Sequence, residues 1–319
     1  MTARGFSLAG SFAALFGRFG LAVPLAALAL GFAAPPLAAM GRDLLPLCIV
    51  LVLGTGVLLT EPGRLRVAEL LRPLALVGVN LLCAAILACL PPLLSGSAGI
   101  WPWVVLAAAA PPAGSAALMA GMLGLPVRPV LFAQLAGFLA LPLTAPLVAL
   151  LLPELALDPA RLAARISLLV GLPCLGAPLL RWLLGPARRQ ELAPRIQTLG
   201  ILALSGIALG TAAGLGNPPP SLEPGEALLA LGLVLLLGAG LGAMVGAGAT
   251  GGTMPGFALA GGVRNLSVLW GACVGLVPPA AELLLQCGTL ITLATPSLLA
   301  LGLGVARLGR MRSGREGVS

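Results

Sequence analysis

Apolar stretches with almost no charge recur along this chain from about residue 20 to about residue 304, and they constrain its fold more than any other feature. Each runs for about 18–22 residues, the length that crosses the ~30 Å hydrocarbon core of a bilayer as a helix. The stretches are continuous rather than alternating, which sets aside a membrane β-barrel. With 59% hydrophobic and only 9% charged residues, and a mean hydropathy of +1.09, the chain has far more apolar surface than a soluble domain can use. The expected fold class is all-α: a polytopic membrane protein embedded in a lipid bilayer.

Ten spans are expected, at about 20–39, 43–60, 73–94, 100–124, 128–152, 163–184, 196–215, 226–247, 255–277 and 279–304. An odd number of spans in each half turns the second half over, so the ten divide as a 5+5 inverted repeat. The expected organisation is an interfacial or cytoplasmic segment over 1–19, a first repeat over 20–152, a linker over 153–162, a second repeat over 163–304 and an arginine-rich cytoplasmic tail over 305–319. Phe6, Leu8, Phe12, Leu15 and Phe16 suit a short helix lying on the membrane surface. The apolar run that follows is long and interrupted by Pro35-Pro36, and reads as a retained span rather than a cleaved signal.

All 18 basic residues are arginine, and net charge is +8. In a soluble chain that balance would suggest a nucleic-acid partner; here no nucleic acid is expected, because the arginines sit mostly in loops and tails as a topology signal. Fourteen fall on the side that holds both termini, against Arg42, Arg161 and Arg165 on the other. Both termini are therefore expected in the cytoplasm, with the chain in the inner or plasma membrane. The six cysteines (Cys48, Cys83, Cys89, Cys174, Cys273 and Cys287) lie in apolar spans without a paired spacing, and the chain has no histidine. They read as small packing residues, and no metal site is expected.

Arg264 is the one cation deep inside an expected span. An arginine at the bilayer centre costs about 2.5–3.5 kcal/mol on insertion scales, and more in simulations of isolated helices, so it needs a cavity or a partner. It follows Gly261-Gly262-Val263, where the ninth span is expected to break. The fourth span is expected to break at Pro111-Pro112-Ala113-Gly114-Ser115. The two breaks lie at matching places in the two halves, the sequence pattern that points to a transporter binding site. Freed N–H groups there attract anions and freed carbonyls attract cations, in a place lipid cannot satisfy. Candidate substrate-binding residues are Arg264, Asn265, Ser115, Asn80 and Ser267, with Pro111, Pro112, Gly114, Gly261 and Gly262 forming the breaks. Gln134, Thr144, Ser205 and Thr292 are weaker candidates, each suited to a helix-packing hydrogen bond. Glu282, near the outer end of the tenth span with Gln286 a turn deeper, is a candidate for proton coupling or for an ion pair with another element.

At these residues the chain resembles the bile acid:sodium symporter family, over about residues 21–304. Leu53-Gly54-Thr55-Gly56-Val57-Leu58-Leu59-Thr60-Glu61-Pro62 is similar to that family's ending of the second span. Ala110 to Ala117 resembles its broken fourth helix, and Gly262-Val263-Arg264-Asn265 its broken ninth. The resemblance implies a core of spans 3–5 and 8–10, in which the breaks cross. It implies a panel of spans 1, 2, 6 and 7 that moves against this core, and a small organic anion as cargo, usually carried with sodium. The chain departs from the pattern at the sodium sites. Ala116 and Ala117 replace a Ser-Asn pair, Ala260 and Arg264 replace a Glu and a Gln, and Leu82 stands for a Gln, whereas Asn265 is kept.

The expected function is secondary transport of a small organic anion by alternating access, as a monomer or homodimer. No cofactor is expected, and the guanidinium of Arg264 stands in for sodium. Alternatives are a sodium- or proton-coupled symporter of another organic solute, and a non-transporting sensory or structural module. An intramembrane protease would need a Ser-His pair or two Asp residues, which the spans lack, so the chain is not expected to be an enzyme. Arsenite carriers of this layout use a cysteine in the fourth span, and residues 100–124 contain none.

Overall fold

The computed structural model describes residues 22–59, 71–90, 99–216, 218–219, 222, 224–247 and 253–296. The segment over 1–19 expected at the interface, the tail over 305–319, Thr60-Glu61-Pro62 and most of the arginines expected on the cytoplasmic side lie outside the described residues. Within them the secondary structure is helical, apart from one isolated β-bridge.

Twelve helices follow one another among the described residues: α1 (Ala22–Ala33), α2 (Pro35–Asp43), α3 (Leu45–Leu59), α4 (Leu71–Cys89), α5 (Trp101–Ala108), α6 (Ala116–Met122), α7 (Val127–Leu151), α8 (Pro159–Leu215), α9 (Pro224–Ala247), α10 (Thr253–Gly262), α11 (Leu266–Cys273) and α12 over 279–296. Four of them are long and apolar enough to cross a membrane: α4, α7, α8 and α9. A fifth candidate is α2 with α3, bent by 64° between them.

The exposed faces are apolar. On α7, Leu139, Leu143, Leu147 and Leu150 form an outward stripe at helical spacing, and on α8 Leu168, Leu172, Leu175 and Leu179 do the same. A water-soluble helix buries its leucine stripe and exposes its polar face. The reverse arrangement suits a hydrocarbon solvent, and it accompanies a second, inward set that includes Phe138, Leu141, Ile166, Leu169, Trp270 and Leu284.

Element boundaries differ from the expected spans where the backbone is special. The helix of the first expected span stops at Ala33 rather than running on to residue 39, because Pro35-Pro36 cannot continue it; both prolines start α2, which runs on to Asp43. The expected linker around 185–195 is helical. The 57 residues of α8 are two helices, over 159–184 and 186–215, that meet at Gly185 (φ 67, ψ 170), the one non-helical position. At ~1.5 Å per residue a single straight helix of that length would be nearly three times the ~30 Å bilayer core. The chain does not run straight. Pro173 packs beside Gly54 and Gly200 beside Thr55, so the two halves of α8 flank the same turn of α3 and the chain reverses at Gly185. The backbone there is one that only glycine adopts readily. Asp158 starts α8 by accepting from the N–H groups of Ala160 (2.9 Å) and Arg161 (3.4 Å), as an N-cap should.

Candidate functional site

Pro111 and Pro112 have no N–H to give and push the residue before each away from helical backbone. Helix α5 accordingly stops at Ala108, and α6 resumes only at Ala116. The second break lies one step later than the glycines lead one to expect: Gly261 and Gly262 are still helical, as the last residues of α10, and the chain leaves the helix at Val263-Arg264-Asn265 before α11 begins at Leu266.

The two breaks meet. The N–H of Ala113 donates to the Val263 carbonyl at 2.8 Å, and the N–H of Asn265 donates to the Pro111 carbonyl at 2.8 Å. Pro112 and Arg264 thus form an antiparallel bridge. Groups released by breaking two helices satisfy each other, which a lipid-embedded chain requires. Gly137 on α7 makes room beneath: a Cβ there would stand 2.8 Å from Pro112 Cδ and 2.9 Å from Pro111 Cβ.

The carbonyl of Ala110 just past the end of α5 is a second focus. It accepts from Arg264 Nη1 at 3.1 Å and from Asn80 Nδ2 of α4 at 3.3 Å. A guanidinium at the C-terminal end of a helix lies at the negative end of its dipole. Arg264 is only 1% exposed, and its Nε and Nη2 have no hydrogen-bond partner among the described residues. A cavity of about 10 Å³ adjoins it, lined by Leu231, Leu235, Leu266, Gly288, Ile291 and Thr292. That is room for about one water-sized occupant. Thr292 Oγ1 donates to the Arg264 carbonyl at 2.8 Å, tying α12 to the break.

The other expected residues divide between this crossing and elsewhere. Asn265 precedes α11, and its Oδ1 accepts from Ser267 Oγ at 2.6 Å. Ser267 thus serves Asn265 rather than the Arg264 cavity. Asn80 Oδ1, Ser115 Oγ and Gln134 Oε1 are buried oxygens without partners among the described residues, and Gln134 Nε2 lies close to where a Cβ on Gly114 would be. Thr144 and Ser205 lie on α7 and on the second half of α8, outside this set.

Glu282 is not at the crossing. It takes two bonds from Arg42, Nε to Oε1 at 2.6 Å and Nη2 to Oε2 at 2.7 Å, and a third from Trp270 Nε1 at 3.1 Å. Of the two roles the sequence suggests for it, the ion pair is the one seen in this conformation. Sequence reasoning does not connect Arg42 to it, because partners 240 positions apart leave no local signal.

Of the positions at which the family resemblance leads to sodium ligands, two are apolar and tightly packed. Ala116 and Ala260 are both fully buried, in one cluster with Leu76, Ala120, Val130, Ala133 and Phe257. Leu82 faces outward from α4.

Close glycine packing supports the second break. Gly238 of α9 lies against Gly261 of α10 so tightly that a Cβ on either would run into the backbone of the other. Gly242 and Gly246 continue the same face of α9 against Phe257 and Met254. Small residues four apart let membrane helices approach backbone to backbone. No metal-ligating cluster of His, Cys, Asp or Glu occurs among the described residues.

The chain matches no family model, and no curated protein is significantly similar to it in sequence.

Proposed function

We propose that this chain is a secondary transporter that moves a small organic anion across the membrane by alternating access, without the sodium coupling of the family it resembles. One observation carries the reading: a fully buried arginine beside two crossing helix breaks, with two guanidinium nitrogens unpartnered among the described residues. An unpaired cation in an apolar interior is costly, and a carboxylate supplies both missing hydrogen bonds in the geometry a guanidinium prefers. Arg264 Nε and Nη2 would hold the anion; Asn80, Ser115 and Asn265 would shape the polar side of the crossing. The cavity at Arg264 has room for little more than a water, so binding an anion there requires the surrounding helices to move apart.

The sodium part of the reading rests on the packing of Ala116 and Ala260 and on the fixed charge of Arg264. A sodium site needs several oxygen ligands, and a buried alanine cluster provides none. In this proposal the chain has ten spans arranged as a 5+5 inverted repeat, the breaks belong to a core of spans 3–5 and 8–10, and spans 1, 2, 6 and 7 form the moving panel. It is a multi-pass protein of the plasma or inner membrane with both termini cytoplasmic, functioning as a monomer or homodimer.

The test is uptake of labelled small carboxylates into proteoliposomes, with and without a sodium gradient. Substrate-dependent uptake that survives sodium removal and is lost in Arg264→Ala is the expected result. Uptake of every anion tried at the rate of empty liposomes would refute transport, and strict sodium dependence would refute the coupling.

A further inference from the structure

A second polar junction lies away from the crossing, and its partners come from different parts of the fold. Arg42 stands at the end of α2, where the chain bends into α3. Glu282 is in the first turns of α12, and Trp270 is on α11. Nearby, Arg165 Nη1 of α8 donates to the carbonyls of Ala272 (3.1 Å) and Val274 (2.9 Å), at the C-terminal end of α11. Two arginines from the α1–α3 and α8 group therefore grip the α11–α12 turn from two sides. By the distribution of arginines in the sequence, this end of the molecule faces outward.

We infer that the Arg42–Glu282 ion pair is an outer latch, closed in this structure, which must separate for the central site to open to the outside. The inference rests on the transport reading, because alternating access is what requires the two groups of helices to part. Three observations support a contact that is made and broken rather than a permanent staple. The pair is two-pronged and so specific in geometry, and its Arg42 side chain is 38% exposed, so water can take the carboxylate's place there, while the Glu282 side chain, 11% exposed, keeps the bond from Trp270. It joins elements that the reading moves against each other. Behind it, one turn along α12, Gln286 is wedged against Gly214 of α8 with its Oε1 buried and unpartnered among the described residues. A buried amide oxygen lacking a partner is a poor permanent seal. It is well placed to be hydrated when the cleft in front of it opens.

The test uses Gln286→Cys as a reporter in the full-length protein with its six natural cysteines replaced, in right-side-out membranes. The rate of modification by a membrane-impermeant maleimide is measured. We expect slow labelling in this background and labelling faster by about tenfold or more when Glu282→Gln or Arg42→Met is added, as the closed population falls. Labelling within about twofold of the parent in both variants would overturn the latch. A second measurement guards against misfolded variants. A disulfide between Arg42→Cys and Glu282→Cys should stop uptake, and reduction should restore it; uptake indifferent to that cross-link also overturns the latch. Labelling needs no substrate, so a latch that responds in a protein that moves no anion would separate failure of the transport reading from failure of the latch.

Discussion

Arg264 reaches across 154 positions of chain to donate to the carbonyl oxygen of Ala110, 3.1 Å away. The bond uses one of three nitrogens and leaves two without a partner among the described residues, so the residue supports the break between α5 and α6 and, in the proposed function, also receives the anion. These two roles respond differently to substitution.

Arg264→Met keeps most of the side-chain volume and removes both roles. Apparent melting temperature in detergent should change little or fall slightly, since one hydrogen bond is worth about 0.5–1.5 kcal/mol and an unpaired buried charge is relieved. Stabilisation by a bound carboxylate should vanish; in the parent it amounts to about 2.7 kcal/mol at a hundredfold excess over Kd. A thermal-shift titration of both proteins reads the difference. Undiminished stabilisation in the variant would leave Arg264 a structural support only.

Asn80→Ala tests the support by itself. Asn80 Nδ2 shares the Ala110 carbonyl with Arg264, and its own Oδ1 has no partner among the described residues. Removing it deletes one long hydrogen bond and one orphaned oxygen, so the stability change should stay within about 1 kcal/mol. If Asn80 also lines the substrate path, uptake should weaken by more than the stability change accounts for. Equal and small effects on both would place it in the scaffold.

How much of this is legible in the chain depends on the range of each signal. The breaks are legible because proline and glycine act on their own backbone, and Pro111-Pro112 and Gly261-Gly262 stand where helices α5 and α10 end. The burial of Arg264 is legible for the same reason: one charge in a long apolar run. Its partner is not, since Ala110 contributes a backbone carbonyl that any residue type would offer. The reversal at Gly185 reads in the sequence as a loop, because the arginines after it suit a polar linker, while the backbone continues helical from Pro186. The bond from Ser267 to Asn265 is not legible either, since a spacing of two residues just ahead of a helix fixes no side-chain contact.

Exchange of sodium for choline should leave both melting temperature and uptake unchanged. The reason is local: Ala116 and Ala260 are fully buried in an apolar cluster with Phe257 and Val130. Parallel thermal melts in the two salts at equal ionic strength measure this, and a sodium-specific upward shift would count against the fixed-charge reading.

Gly261→Ala should be the most damaging of these changes although it adds a single methyl group. The new Cβ would collide with the Gly238 carbonyl, which is backbone and cannot swing aside as a side chain would. Helix α9 would have to retreat from α10, and a Cβ on Gly238 would also meet Arg264 Nη2, so the same contact positions the guanidinium. Overpacking of this kind costs about 1–3 kcal/mol. The expected result is a lower melting temperature together with loss of anion-dependent stabilisation, in a protein whose Arg264 is intact. Gly240→Ala, on α9 with open space around it, is the matched control and should behave as the parent does. If the two glycine variants were equally stable, the close approach of α9 and α10 would not be what holds the second break in place.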